Sequence, residues 1–181
     1  MPVYVSLLRA VNVGGRKVPM AELRALFEEL GHDDVVTYVQ SGNVVSRVTT
    51  RSAAAVERSV SMAIGAAFGF EVDVLVRTPK QMQAVLDGNP FSGGSSAPPA
   101  TKTLHVTFLA TTPAAARVHE LDGSAFAPDE FRVDGRTVYL SCPNGYGTTK
   151  ITNAWFERKL QVPATTRNWN TVTTLLELSR R

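Results

Sequence analysis

The sequence predicts an α+β chain of two ferredoxin-like (βαββαβ-type) halves with antiparallel sheets and an extra C-terminal helix. Three observations carry this. Short β-branched runs and helical-period stretches follow one another in the order βαββαβ up to Arg77. A similar order restarts at Leu104. Between the two, residues 92–101 (Ser-Gly-Gly-Ser-Ser-Ala-Pro-Pro-Ala-Thr) form a low-complexity stretch of the kind found in flexible loops and linkers. The expected organisation is therefore an N-terminal half over 1–91, a linker over 92–101 and a C-terminal half over 102–181 with the terminal helix.

Residues 3–11 are mostly apolar and β-branched and predict a buried first strand. The turn Asn12-Val13-Gly14-Gly15-Arg16-Lys17-Val18 follows, and Pro19 is placed as the first helical residue. Met20, Leu23, Leu26, Phe27 and Leu30 recur at helical spacing before the stop at Gly31. Val35–Gln40 and Val44–Val48 flank Ser41-Gly42-Asn43 as a hairpin. A helix from about Ser52 to Phe68 carries Val56, Val60, Ile64, Ala67 and Phe68 on one stripe, and a fourth strand runs from Val72 to Arg77. Thr78 and Gln81 form a capping box for a short helix.

In the second half, Leu104–Leu109 reads as a strand and Thr112-Pro113 as the start of a helix. Glu130–Val133 and Thr137–Ser141 form a second hairpin around Asp134-Gly135-Arg136. A helix is expected from about Thr149 to Leu160, an extended segment near 162–166, and a last helix with Val172, Leu175 and Leu176 inside, capped by Asn168 or Asn170. Trp155 is assigned to the core, and Trp169 to packing under the last helix rather than to stacking on a ligand.

Composition narrows the function classes. At 181 residues, 44% hydrophobic and 19% charged, the chain is of ordinary globular type. Its net charge of +3 admits an anionic partner but lacks the clustered basic run of a dedicated nucleic-acid binder. Cys142 is the only cysteine, so no intrachain disulfide forms and a cytoplasmic address is expected. No apolar run approaches the roughly 20 residues of a membrane span, so no membrane partner is expected. His32, His105 and His119 are scattered, without metal-site spacing, and neither a metal nor a cofactor is expected. No nucleophile elbow, spaced His/Cys/Asp set or paired acids mark a reaction, so catalytic residues are left unassigned. An RNA-binding sheet would need aromatics on its first and third strands, and here the third has none.

Two polar clusters nominate a binding site. In a βαββαβ unit the first loop and the first hairpin turn lie at one end of the sheet. Arg9, Asn12, Lys17, Gln40, Ser41 and Asn43 are thus expected beside the first helix's N-terminus, where backbone N–H groups favour an anion, with Arg16 adding to the field. The same logic places Lys150 near Arg167, Asn168 and Asn170 in the second half. Gly145-Tyr146-Gly147-Thr148-Thr149-Lys150 only partly resembles a phosphate loop, because it lacks the Gly-Lys-Ser/Thr ending. The competing structural explanation assigns Ser41-Gly42-Asn43 to turn chemistry and Arg167 to a nearby carboxylate or helix C-terminus.

Four blocks, Leu8 to Gly15, Tyr38 to Val44, Asn89-Pro90-Phe91 and Thr165 to Thr171, together resemble the bacterial family known as domain of unknown function 1697, over nearly the whole chain. The resemblance implies a soluble bacterial protein of two ferredoxin-like halves, with no biochemical role to transfer. Two departures stand out. The family usually has Gly where Ala10 stands, and a Lys-Ser-Lys-Leu-like run where Thr148-Thr149-Lys150-Ile151 stands. The functional expectation is an anionic or phosphorylated small molecule held by the Arg/Asn/Gln/Lys clusters. The alternatives are nucleic-acid binding through backbone contacts and a structural or self-assembly role, with a second copy of the chain as partner.

Overall fold

The computed structural model describes residues 1–91 and 101–181. The linker expected over 92–101 falls, apart from Thr101, outside the described residues. The first half runs β1 (Val3–Leu8), α1 (Met20–Glu29), β2 (Asp33–Tyr38), β3 (Asn43–Arg47), α2 (Ala53–Phe68), β4 (Val74–Arg77) and α3 (Pro79–Asp87). The second runs β5 (Leu104–Leu109), α4 (Ala115–His119), β6 (Glu130–Asp134), β7 (Thr137–Ser141), α5 (Asn153–Leu160), β8 (Ala164–Asn168) and α6 (Trp169–Leu178). Two four-stranded antiparallel sheets result, in the orders β2-β3-β1-β4 and β6-β7-β5-β8. In each, the first strand of the half lies between its third and fourth. That is the ferredoxin-like arrangement, and the expected α+β class holds. By compactness the chain divides into Met1–Ala84 with Thr174–Arg181, and Val85–Thr173.

In the first unit, α1 and α2 cover one face of the sheet. Tyr4, Leu8, Val44, Val74 and Val76 meet Leu23, Leu26 and Phe27 of α1 and Val56, Val60 and Ile64 of α2. Each fully buried side chain of this size contributes roughly 1.5–3 kcal/mol. Ala67, expected on the α2 stripe, is exposed; Phe68, four residues after Ile64, carries the stripe on against the core. Ser52 caps the start of α2, its hydroxyl accepting from the Ala55 N–H. The capping box at α3 forms in both directions, Gln81 N to Thr78 Oγ1 at 3.2 Å and Thr78 N to Gln81 Oε1 at 2.9 Å.

The second unit's core is aromatic. Trp155 and Phe156 of α5 meet edge-on at 5.0 Å, Phe126 meets Trp155 at 5.4 Å, and Leu109, Val138, Leu140 and Ala164 close the cluster from the sheet. Trp155 is core as expected, and Trp169 is also buried.

Several expected boundaries move: Pro19 is the extended N-cap of α1 and not its first residue, and β2 lies two residues earlier than expected. The first strand stops at Leu8 rather than Val11, because Ala10 and Asn12 take left-handed φ of 54° and 57°, which no sheet ladder accommodates. The fourth helix starts at Ala115, not at Pro113, and lacks a side-chain cap. The fifth starts at Asn153, because Thr152, not Thr148 or Thr149, accepts from the N–H of Trp155.

His32 is almost fully buried between α1 and the sheet. Its Nδ1 lies 2.8 Å from Ser46 Oγ, and its ring meets Phe27 edge-on at 5.1 Å. Burial pushes its pKa down, against a smaller raising effect of Asp33. The folded state therefore holds the neutral ring while the unfolded chain, with a pKa near 6.5, takes up a proton. The stability from this site is complete above about pH 6.5 and is lost as the pH falls below it. Thermal unfolding between pH 8 and pH 5 should show the melting temperature dropping on the acid side. His32→Gln should be less stable throughout and show a shallower acid slope; an unchanged slope contradicts this assignment.

Candidate functional site

The loop after β1 and the turn between β2 and β3 meet at one end of the first sheet, and Asn12 joins them. Its Nδ2 donates to Gln40 O (2.6 Å) and Val18 O (3.1 Å), its Oδ1 accepts from Val18 N (2.9 Å), and its own N–H donates to Arg16 O (2.7 Å). Asn suits the position chemically, since a short carboxamide tolerates the left-handed backbone and mimics a peptide group. Asn43, fully buried, closes the neighbouring turn by donating to Tyr38 O (3.0 Å) and Ser41 Oγ (2.9 Å). Gly42 lies under both: Leu8 N donates to its carbonyl at 2.8 Å. A Cβ there would sit 2.4 Å from Val11 Cγ2 and 2.8 Å from Leu8 Cβ, at a φ of 74°. Asn12, Ser41 and Asn43 thus shape this end of the sheet. Lys17 and Gln40 are exposed beside it.

Arg9 and Arg16 belong to the same loop but line a cleft on its far side. Its volume is ≈ 680 Å³, and Ser61, Gly65, Glu71 and Asp73 complete its polar lining. The floor is the segment joining α2 to β4, whose successive carbonyls are each held. Arg16 Nη1 donates to Glu71 O (3.3 Å), Ser61 Oγ to Val72 O (2.7 Å), and Arg9 N to Asp73 O (2.9 Å). The Arg16 guanidinium also lies 5.7 Å from the centre of the Phe70 ring, in cation–π range. Glu71 and Asp73 were not singled out from the sequence, where Asp73 reads only as an alternating position of the fourth strand and Glu71 as the residue before it. What would have found them is the topology: β4 pairs with β1, which brings the residues just before β4 against those just after β1.

The second cluster divides. Arg167 is 8% exposed in β8, opposite Val106, with Nη1 donating to Thr165 Oγ1 (2.7 Å) and Thr166 O (3.0 Å). Burial pushes its guanidinium pKa down to about 10, which leaves it charged at neutral pH. Asn168 caps α6, its Oδ1 accepting from Thr171 N at 2.8 Å, and Asn170 is exposed on the first turn. Lys150 is exposed and lines a small cleft of ≈ 200 Å³ with Phe126, Pro128, Asp129, Asn144 and Thr148. Its surroundings differ from those of Arg167. The loop residue that reaches the sheet is Tyr146, which stacks on His105 of β5 at 4.7 Å, and His105 pairs with Asn168. Thr149 donates to Asp129 Oδ2 at 2.7 Å and accepts from Ile151 N at 3.2 Å. Cys142 is fully buried, and burial pushes its thiol pKa up, away from nucleophilic use.

Arg77 was also missed. It is 3% exposed in β4 and pairs with Val5, as Arg167 in β8 pairs with Val106. Val5 and Val106 are each the third residue of their half's first strand, and both arginines donate Nη1 to the carbonyl of the preceding residue. Each is followed by the capping residue of the next helix, Thr78 or Asn168. The two halves therefore repeat a strand–arginine–cap–helix element that their residues do not reveal in the sequence.

Comparison with known proteins adds the following. The family described as protein of unknown function (DUF1697) matches residues 1–139. The solved structure of a conserved bacterial protein from Streptococcus pneumoniae is similar over 100% of this chain and 99% of that one, with a TM-score of 0.75 and 22% identity, a likeness of fold. No curated protein matches the chain.

Two outcomes follow from the packing. Gly42→Ala should lose about 2–4 kcal/mol, combining left-handed strain with overpacking against Leu8 and Val11; a loss under about 0.5 kcal/mol in denaturant titration contradicts the close approach. Arg167→Ala should cost about 1–3 kcal/mol by stranding the Thr165 and Thr166 acceptors; full stability in the same titration contradicts a structural guanidinium.

Proposed function

The chain belongs to this family of proteins of unknown function, DUF1697, and from that premise we propose that it binds an anionic or phosphorylated small molecule in the Arg9/Arg16 cleft of the first unit. The observation that carries the reading is that two guanidinium-bearing residues of one loop line a single cleft of ≈ 680 Å³. That volume lies within the range of about 300–1,000 Å³ common for small-molecule sites. Guanidinium groups offer several N–H donors in a planar fork suited to carboxylate and phosphate oxygens. Arg16 uses Nη1 and its ring contact to hold its place, which fixes the group's orientation before a ligand arrives. In this reading the remaining polar residues of that end, Asn12, Gln40, Ser41 and Asn43, hold the loop that carries the arginines.

A thermal-shift screen of inorganic phosphate, sugar phosphates, nucleotides and carboxylates tests it. At least one phosphorylated or carboxylated compound should raise the melting temperature. Arg9→Gln with Arg16→Gln should weaken that compound about 10- to 100-fold, the loss expected for charge-assisted hydrogen bonds. A screen with no stabilising anion, or a double variant that binds as the parent does, removes the proposal.

A further inference from the structure

The cleft is lined by charges of both signs. Arg9 and Arg16 are its cationic members; Glu71 and Asp73, both exposed, are its anionic ones. Ser61 and Gly65 contribute the lining from α2, whose C-terminal end is four residues beyond Gly65 at the Gly69 cap. The last turn of a helix carries partial negative charge on its carbonyls, which favours a cation. Glu71 and Asp73 therefore reinforce the field of that helix end, and the arginines oppose it. Met62, 74% exposed, lies on the same lining and adds apolar surface to it. An inorganic anion alone would meet the carboxylates as well as the guanidinium groups and lose part of its attraction to repulsion.

From this we infer that the cleft selects a small organic zwitterion, with a phosphate or carboxylate toward Arg9 and Arg16 and an ammonium group toward Glu71 and Asp73. The inference rests on the anion-binding reading and adds the cationic end of the ligand. Gly65 leaves room for the spacer, since a Cβ there would meet only the Phe70 carbonyl, at 3.9 Å.

Backbone amide NMR titrations of the full chain test it with two matched sets of probes. Phosphoethanolamine is compared with inorganic phosphate and with ethanolamine, and 4-aminobutyrate with butyrate. In at least one set the zwitterion should shift the amides of Arg16, Glu71 and Asp73 at about fivefold lower concentration than its anionic half, as exposed ion pairs allow. Whichever set shows the ratio identifies the anionic group. Glu71→Gln with Asp73→Asn, both at exposed positions, should erase the ratio without weakening the anionic half. If the anionic halves bind as tightly as the zwitterions in the parent chain, the inference falls and the anion-binding reading stands. If neither anions nor zwitterions shift these amides, both fall.

Discussion

The carboxamide of Asn12 is the interaction on which the N-terminal end of this protein depends. One side chain and its own backbone N–H close the loop after β1 onto Val18, two residues before α1, and tie it to the β2–β3 turn, which is distant in sequence. Each bond is modest, about 0.5–1.5 kcal/mol net, but together they hold a stretch of chain with unusual backbone. Ala10, Asn12, Gly14 and Gly15 on one segment and Val39 and Gly42 on the other all have positive φ. A β-branched residue such as Val39 enters that region only when its surroundings over-determine it. The clamp supplies that determination, and the buried Asn43 carboxamide supplies it again on the turn side.

What the clamp organises lies next to it. With Asn12 N–H bonded to Arg16 O, the loop closes on itself and carries Arg16 across to Phe70 and Glu71. The arginines of this protein thus divide by environment. Arg77 and Arg167 are buried at matching points of the two sheets and bond to the backbone of their own strands. Arg9 and Arg16 line an open cleft. The same guanidinium chemistry fixes a strand in one place and lines a cleft in the other.

Much of this was legible in the sequence because secondary-structure period and turn chemistry are local. The two βαββαβ orders, the capping box at Thr78 and Gln81, and the meeting of the Asn12 loop with the Gln40–Asn43 turn all follow from residues near one another or from the rules of one motif. The illegible parts depend on pairing across the chain. Leu8-Arg9-Ala10-Val11 looks like continuing strand, and only the left-handed Ala10 ends it; the glycine usual in the family at that point is the residue such a φ favours. Glu71 and Asp73 become cleft residues only once β4 pairs with β1. The partners of Arg167 could not be named from sequence, because its acceptors and its burial follow from β8 closing the second sheet beside β5. Lys150 was drawn toward it by loop order, whereas Tyr146 is the residue that turns inward.

The central claim is that the Asn12 clamp holds the loop that carries the arginine side of the cleft. Native-state amide exchange on Asn12→Ala, beside the parent chain, tests it most directly. The account predicts a selective loss of protection at Val18, Arg16 and Leu8, with β3 and the whole second sheet retaining parental protection. Parental protection at Val18 and Arg16, or a uniform loss across both sheets, would contradict it.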